Sequence, residues 1–230
     1  MRRLNSRANS LDQDADTAPM TRRPHAPGNG ARIRRSHIFE RDGFGHYVEP
    51  AWCSTRLFEA ESFGAPGARV LDPCCGWGTI LRAAREAGYS PFGSDIVDRR
   101  GDARAYSSFP FQVCDFLKRS PIRAPWAVVT NPPFDRIREV SEHALAVAIA
   151  KVAVLVPLAR MPAAHWLERL PLETVWLLTP RPSMPPASYI AAGNEPGGGR
   201  VDFCWLVFNR QSTVGGRPEQ RWLHRDRVQP

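Results

Sequence analysis

The feature that most constrains the fold of this 230-residue chain is an apolar segment that ends in Asn131-Pro132-Pro133-Phe134. The valines and threonine at 128–130 favour a pleated, buried strand. The two prolines lack backbone N–H donors and restrict φ, so the chain must leave the sheet as a stiff, extended elbow. The elbow presents an amide, carbonyl groups and an aromatic ring at the carboxyl end of the strand, where open α/β sheets bind ligands.

The polar groups of this elbow suit an exocyclic amino group as a binding partner. The side-chain oxygen of Asn131 and the carbonyl of Pro132 can accept both N–H donors and direct the nitrogen lone pair toward an electrophile. Phe134 can stack on the ring that carries the amino group. An ordinary strand end closed by two prolines would have the same sequence, so the neighbouring segments must decide between the two interpretations.

A second strand end lies upstream, where Val70-Leu71-Asp72 is followed by Pro73-Cys74-Cys75-Gly76-Trp77-Gly78. We expect a short strand, a tight turn and a helix over Thr79–Ala87 that Gly88 closes. Glycines permit tight turning and close approach of the backbone to a ligand, so the turn can bind a nucleotide-like molecule. The third glycine of the dinucleotide fingerprint is missing, since position 81 is Leu.

Two further predicted strands also end in acids. Asp95 lies 17 residues after Gly78, near the spacing of about 20 expected for a carboxylate that binds ribose hydroxyls. Asp115 ends the third short strand, 111–117, and the aromatic Phe116 follows it. A single acid at a strand end is commonly a helix cap. Acids after three successive strands instead indicate one ligand-binding edge.

The remaining segments continue the alternation of helices and strands. We expect helices over 51–62, 137–150 and 163–170, and strands over 151–158, 174–178 and 201–208. Residues 181–199 form a Pro/Gly-rich loop, long enough to be functional or disordered. The segment Tyr47-Val48-Glu49-Pro50 is either a packing arm or a flap over the cavity at the sheet edge.

Taken in this order, residues 45–208 resemble the class I S-adenosylmethionine-dependent methyltransferases, in particular the N6-adenine DNA methyltransferases. Asp72 to Gly78 resembles the first motif of that family, and Asn131 to Phe134 resembles its catalytic (Asp/Asn/Ser)-Pro-Pro-(Tyr/Phe) motif. Asp95 takes the place of the ribose-binding acid, and Asp115-Phe116 the place of the adenine-contacting segment. Tyr47 to Pro50 resembles a Tyr-x-Thr-Pro flap, with Glu49 in place of the threonine. Trp77 is bulkier than usual and could wall the methionine pocket.

The resemblance implies a Rossmann-like α/β fold, with a seven-stranded, mostly parallel sheet, helices on both faces and an antiparallel last strand. It implies methyl transfer from S-adenosyl-L-methionine to an amino nitrogen, most simply N6 of an adenine flipped out of DNA, without a metal. The catalytic residues would be Asn131, Pro132, Pro133 and Phe134. The cofactor-binding residues would be Tyr47, Pro50, Asp72, Cys74, Gly76, Gly78, Asp95, Asp115 and Phe116.

Charge and composition suggest one domain between two tails. The net charge is +8, of which residues 1–36, with eight Arg and three Asp, contribute +5. We therefore expect a disordered basic tail over 1–36, a single domain over 37–210 and a polar tail over 211–230. The arginines of the tails could contact nucleic-acid phosphates or simply be solvated. The five cysteines form no CxxC pair and no long apolar run exists, so we expect a cytoplasmic protein without a membrane span.

Other functions remain open at this point. The same tetrapeptide occurs in enzymes that resemble RNA adenine-N6 or guanine-N2 methyltransferases, and a tyrosine version occurs in those that modify a protein glutamine amide. A dinucleotide-dependent oxidoreductase is a second alternative, which the missing third glycine disfavours. A non-catalytic nucleic-acid-binding protein with a relic cavity is a third. The oligomeric state is not predicted.

Overall fold

The computed structural model describes residues 45–102, 104–119, 121 and 123–226. All of them belong to one compact unit, His37–Pro230. The predicted basic tail over 1–36 lies outside the described residues.

Within the part of the chain that the structure describes, eight strands form one sheet in the order β3-β2-β1-β4-β5-β7-β6-β8. In chain order the strands are β1 (Arg69–Asp72), β2 (Ser90–Asp95), β3 (Phe111–Val113), β4 (Ala127–Thr130), β5 (Lys151–Pro157), β6 (Leu172–Thr179), β7 (Phe203–Asn209) and β8 (Glu219–His224). Strands β4, β5, β6 and β7 coincide with runs of β-branched, aromatic or aliphatic residues, as such residues prefer a pleated and half-buried surface.

The pairing of the strands confirms the predicted Rossmann-like α/β class. Strands β3, β2, β1, β4 and β5 are parallel to one another, and β7 is antiparallel to both β5 and β6. From β1 the chain adds β2 and β3 on one side, and it then crosses to add β4 and β5 on the other side of β1. The carboxyl ends of β1 and β4 therefore flank the crevice in which open α/β sheets bind ligands. Strand β7 is therefore the antiparallel strand that was predicted over 201–208.

The strand count was wrong by one, because Glu219–His224 adds the edge strand β8 in parallel to β6. Residues 211–230 were expected to be a polar tail. Five of the six strand residues are exposed and only Leu223 is buried, so the segment lacks the apolar alternation that identifies a strand. The segment is held in the sheet by its pairing with the edge of β6. A hydrogen bond from Nε of Arg56 to the carbonyl of His224, at 2.8 Å, also holds it.

The described residues form four α-helices, of which the first precedes β1: α1 (Ala51–Ala60), α2 (Thr79–Glu86), α3 (Ile137–Val147) and α4 (Ala187–Ala191). Helix α4 lies inside the segment that the sequence indicated as a structureless loop. The helix expected over 163–170 is absent, and 3₁₀ turns over Leu158–Ala163 and His165–Arg169 take its place, with Pro162 inside the first turn.

Helices cover both faces of the sheet, as predicted. Alternate residues of β7 point to opposite faces. Trp205 packs with Leu57 of α1 and Ile80 of α2 on one face, while Leu206 packs with Val140 of α3 on the other. The indole nitrogen of Trp205 also donates to the carbonyl of Cys53 at 3.0 Å, which ties α1 to the centre of the sheet. The helix that follows the Tyr47–Pro50 segment is therefore firmly anchored.

None of the helices in the described residues has the length and apolar character needed to cross a membrane. Within the same residues, no cluster of three or more His, Cys, Asp or Glu side chains could hold a metal ion.

Candidate active site

A cavity of about 300 Å³ lies at the carboxyl ends of β1, β2 and β4. This volume is at the lower end of the range of roughly 300–1,000 Å³ typical of small-molecule sites. Nine of the thirteen residues selected from the sequence line it: Tyr47, Asp72, Cys74, Gly76, Asp95, Asp115, Phe116, Asn131 and Pro133. The glycine turn and the Asn-Pro-Pro-Phe elbow thus share one cavity, although 53 residues separate Gly78 from Asn131.

The remaining four residues do not line the cavity. Pro50 precedes helix α1 and lines a second, more open cavity beside the 181–199 segment. Gly78 precedes α2 with φ of +86°, a conformation that glycine adopts without strain, so its contribution is to the turn itself. Pro132 is buried, and Phe134 packs into the core behind the cavity.

Asp72 organises the floor of the cavity. One oxygen of its carboxylate accepts hydrogen bonds from the Thr130 hydroxyl at 2.8 Å and from the backbone N–H of Cys74 at 3.2 Å. The side chain joins the ends of β1 and β4 and is only 1% exposed. Burial raises the pKa of Asp72 well above its usual range, although the Thr130 hydrogen bond opposes the shift. Thr130 was not selected from the sequence, because its partner lies 58 residues away.

The glycine turn brings the backbone close to the cavity at Gly76. Its φ is +50°, and a Cβ atom there would lie 2.5 Å from Nε2 of His46. Only glycine satisfies both conditions without displacing a neighbour. Trp77 is buried and lines the cavity, and its ring meets the edge of the His46 ring at a centroid distance of 5.3 Å. The unusual tryptophan therefore forms a wall of the cavity, as proposed for it.

Asp95 ties the second strand to the glycine turn. Its Oδ2 accepts from the backbone N–H of Gly76 at 2.9 Å, and its Oδ1 accepts from Val97 at 3.0 Å and from the Arg99 guanidinium at 2.7 Å. Each carboxylate oxygen accepts two hydrogen bonds, so Oδ2 retains capacity for a ligand hydroxyl. Arg99 was missed from the sequence; its position four residues after Asp95 was the available signal.

The third acidic strand end contributes a less buried group. Asp115 accepts from the backbone N–H of Leu117 at 3.1 Å and pairs with Lys118 at 3.1 Å, and the Lys118 hydrogen bond lowers the pKa of Asp115. Phe116 is buried with its ring 4.6 Å from His143 in an edge-on arrangement. Both residues line the same side of the cavity, and the exposed Arg136 also lines it.

The Asn131 amide lies between the elbow and the Tyr47–Pro50 segment. Its Nδ2 donates to the backbone carbonyl of Tyr47 at 3.1 Å and to Oε2 of Glu49 at 2.9 Å. Its Oδ1 is buried without a hydrogen-bond partner among the described residues. Buried polar atoms in native proteins nearly always have partners, and an exception calls for an explanation such as an absent ligand.

Glu49 is itself buried, with 7% of its surface exposed. Burial raises the pKa of Glu49 to about 7, and the hydrogen bond from Asn131 opposes the shift. Together with Asp72 and Asp95, it places three carboxyl groups around the cavity. Such a lining suits a ligand that carries positive charge.

The Phe134 ring was expected to face the cavity and stack on a ligand, but it does not line the cavity. It lies nearly parallel to the Tyr47 ring at a centroid distance of 5.4 Å and tilts against Phe203 at 5.8 Å. Both partners come from distant segments that the local sequence does not reveal. A planar ligand can stack on Phe134 only after the Tyr47 side chain moves.

Comparison with solved structures shows the fold that this chain shares with other proteins. A methyltransferase subunit of a type I restriction-modification system from Streptococcus thermophilus superposes with a TM-score of 0.52 at 16% identity, over 75% of this chain and 46% of that one. A modification subunit of a proposed type I restriction enzyme from Vibrio vulnificus gives 0.50 at 15% identity, over 76% and 46%. A proposed RNA methyltransferase from Pyrococcus horikoshii gives 0.53 at 14% identity, over 74% and 91%.

The chain thus spans about half the length of the two restriction-modification subunits and most of the length of the archaeal protein. These similarities confirm the Rossmann-like fold. No protein-family model and no curated protein matches the chain.

Proposed function

We propose that this protein is an S-adenosyl-L-methionine-dependent methyltransferase that modifies an exocyclic amino nitrogen, N6 of adenine in DNA. The observation that carries the proposal is the buried, unpartnered Oδ1 of Asn131 in the cavity that the glycine turn also lines. An amino group that enters beside Asn131 would satisfy this acceptor. The structural similarity to two restriction-modification subunits supports DNA as the substrate.

The residues around the cavity fit the cofactor. The backbone at Gly76 leaves no room for a Cβ atom, and Asp95 has acceptor capacity for a ribose hydroxyl. Carboxyl groups of Asp72 and Glu49 balance positive charge on a ligand. Asp115 and Phe116 would border its adenine, and Tyr47 and Cys74 would border the rest of the molecule. When bound, the cofactor supplies an electrophilic methyl group whose bond to sulfur breaks with the electron pair left on sulfur.

The role of the elbow is to align and stabilise the amino nitrogen. The lone pair of the substrate's amino nitrogen forms the new bond to the methyl carbon. Positive charge then develops on this nitrogen until it loses a proton to water. The fixed acceptor Oδ1 of Asn131 stabilises that charge without reorganisation. Proline restricts φ at 132 and 133, so the backbone after Asn131 is held in place, although Pro132 itself does not line the cavity. Holding two reactants in line can be worth effective molarities of roughly 10⁵–10⁸ M.

The substrate must reach this cavity as an unpaired base. Extrusion of a base from a duplex costs a few kcal/mol, of which stacking on an aromatic ring returns about 1–3 kcal/mol. Because Tyr47 covers one face of Phe134, the proposal requires the Tyr47 side chain to move when the base enters. The basic residues Arg136 and Lys118 at the cavity would contact phosphates.

The test is transfer of tritium from labelled S-adenosyl-L-methionine to unmethylated duplex DNA, ribosomal RNA and a protein extract, each assayed separately. We expect label in DNA as N6-methyladenine. Label in RNA or protein alone would replace DNA by that substrate class, and no label with any acceptor, together with no cofactor binding by calorimetry, would refute the methyltransferase.

Two variants divide the roles of the site. Asn131→Ala should reduce transfer by about 10²-fold or more, the size typical for loss of a preorganised electrostatic partner, and leave cofactor affinity nearly intact. Asp95→Ala should weaken cofactor binding first. Asn209→Ala is the matched control, since Asn209 also donates to a glutamate, Glu173, at 2.9 Å. Asn209 ends β7 beside the first residue of β5, at the edge of the sheet opposite the cavity. Equal loss of cofactor affinity in the Asn131 and Asp95 variants would contradict this division.

A further inference from the structure

Glu49 forms one of the two contacts that determine which end of the Asn131 amide faces the cavity. Both hydrogens of the Asn131 NH₂ group point to acceptors, the Tyr47 carbonyl and the Glu49 carboxylate. A carbonyl and an ionised carboxylate have no hydrogen to donate, so a flipped amide would place oxygen against oxygen at both positions. The amide oxygen must therefore point away from them.

The oxygen that results from this orientation is the buried, unpartnered Oδ1. The Tyr47 carbonyl is a backbone group that any residue would supply at that position. The Glu49 carboxylate is a side-chain contribution, and it costs free energy because burial penalises charge. A neutral side chain with a hydroxyl would fit here at a lower cost, so the carboxylate has a role that its stability contribution does not explain.

The groups that face Glu49 come from three elements. Asp72 at the end of β1 and the Cys53 thiol on α1 lie close enough for the charge of Glu49 to raise the pKa of each. Asn131 after β4 is its hydrogen-bond donor. His46 belongs to the same segment, and Asp95, Arg99, Lys118 and Arg136 line the cavity farther along. Asp72 has its own donors in Thr130 and Cys74, so Asn131 is the polar side chain that depends on Glu49.

We propose that Glu49 is a positioning residue, whose ionised carboxylate holds the Asn131 amide with its oxygen directed at the incoming amino group. The proposal rests on the methyltransferase function proposed above and assigns a specific role to the residue that replaces the threonine of the flap. The hydrogen bonds that the NH₂ group donates also strengthen Oδ1 as an acceptor, because linked hydrogen bonds polarise one another. Glu49 takes no proton from the substrate in this scheme.

Protonation of Glu49 would remove one of the two contacts that fix the amide and leave the Tyr47 carbonyl as the other. The carboxylic acid is a donor as well as an acceptor, so the amide could turn and give Oδ1 to the Glu49 hydroxyl. The NH₂ group would then face the amino group of the substrate, donor against donor. Because burial raises the pKa of Glu49 to about 7, this change falls within the pH range of an ordinary assay.

The kinetic test compares the wild type with Glu49→Gln between pH 5.5 and 9, with labelled S-adenosyl-L-methionine and unmethylated duplex DNA. We expect wild-type kcat to fall about tenfold per pH unit below pH 7. Glutamine keeps the size of the side chain but offers either end of its own amide. Its kcat should be about 10- to 100-fold lower at pH 8 and insensitive to pH over this range, with cofactor affinity within about threefold of wild type.

The matched control is Glu173→Gln, which removes a carboxylate that also accepts from an asparagine amide but lies outside the cavity. It should retain the wild-type pH profile. An unchanged kcat and pH profile in Glu49→Gln would overturn the proposal. A loss of cofactor affinity equal to the loss of kcat would also overturn it, because Glu49 would then act as a countercharge for the cofactor.

A second measurement is independent of catalysis. In the ¹⁵N-labelled protein, the side-chain NH₂ signals of Asn131, assigned by their absence in Asn131→Ala, should titrate with a midpoint near pH 7 in the wild type. The titration should disappear in Glu49→Gln. Signals that do not titrate in the wild type would refute the role of Glu49 even if transfer occurs, and titrating signals without transfer to any acceptor would refute the proposed function alone.

Discussion

Glu49→Gln also has a defined effect on stability that depends on pH. The pKa of Glu49 is about 7 in the folded protein and 4.5 for an ordinary glutamate, because burial disfavours the charged form. Between these values the folded state binds a proton that the unfolded state has released. Stability therefore falls as pH rises through this range, and the loss is complete above pH 7. A difference of 2.5 units corresponds to about 3 kcal/mol, at about 1.4 kcal/mol per unit.

Removal of the carboxyl group removes this penalty. Relative to wild type, Glu49→Gln should gain about 2–3 kcal/mol of unfolding free energy between pH 5 and pH 8. Urea unfolding followed by the fluorescence of the seven tryptophans measures this difference, and equal m-values would show that the compactness of the unfolded state is unchanged. Asp72 also has a raised pKa, so part of the pH dependence should persist in the variant.

Glu173→Gln provides a control of opposite sign. Burial alone would raise the pKa of Glu173, but hydrogen bonds from Asn209 and Lys151 and the charge of Lys151 together lower it. A lowered pKa stabilises the fold above the ordinary glutamate pKa, so this variant should lose stability at both pH 5 and pH 8. Parallel pH curves for wild type and Glu49→Gln would refute the reasoning, because Glu49 would then ionise at the same pH in both states.

Two further variants test the glycine turn and the edge of the sheet. Gly76→Ala places a methyl group 2.5 Å from His46 Nε2 at a φ of +50°, so calorimetry should show cofactor affinity lower by about 10-fold or more; an unchanged affinity would contradict the proposed approach of the turn to the ligand. Truncation after Gly216 removes β8 and frees the edge of β6, so light scattering should show more self-association than for the full chain. A monomeric and equally stable truncated chain would show that β8 does not protect this edge.

The sequence predicted the position of the cavity better than its internal contacts. Parallel strands have their carboxyl ends at one edge, so Asp72, Asp95 and Asn131 were expected to meet once their strands were recognised. The Asn131–Glu49 hydrogen bond spans 82 residues, and no local pattern indicates that the two side chains would meet. Glu49 was noticed only as a departure from the threonine of a related flap.

Two differences have the same physical origin, because tertiary contacts outweighed local pattern. The β8 segment has one buried residue, Leu223, and the backbone of β6 supplies the partner that makes it a strand. Phe134 was expected to be free for a ligand because prolines precede it. Tyr47 and Phe203 lie 87 and 69 residues away in the sequence and take up its ring in the structure.

The carboxyl groups of the cavity connect its stability to ligand binding. The charge of Glu49 adds to burial in raising the pKa of Asp72, because the two carboxyl groups are buried and carry like charge when ionised. A bound cation offsets that repulsion, whereas a neutral ligand of the same shape does not. S-adenosyl-L-methionine carries a positive sulfonium before transfer, and the sulfur of its product is neutral. In the proposed function, the carboxyl groups that lower stability at pH 8 would therefore bind the methyl donor more tightly than the spent cofactor and so assist product release.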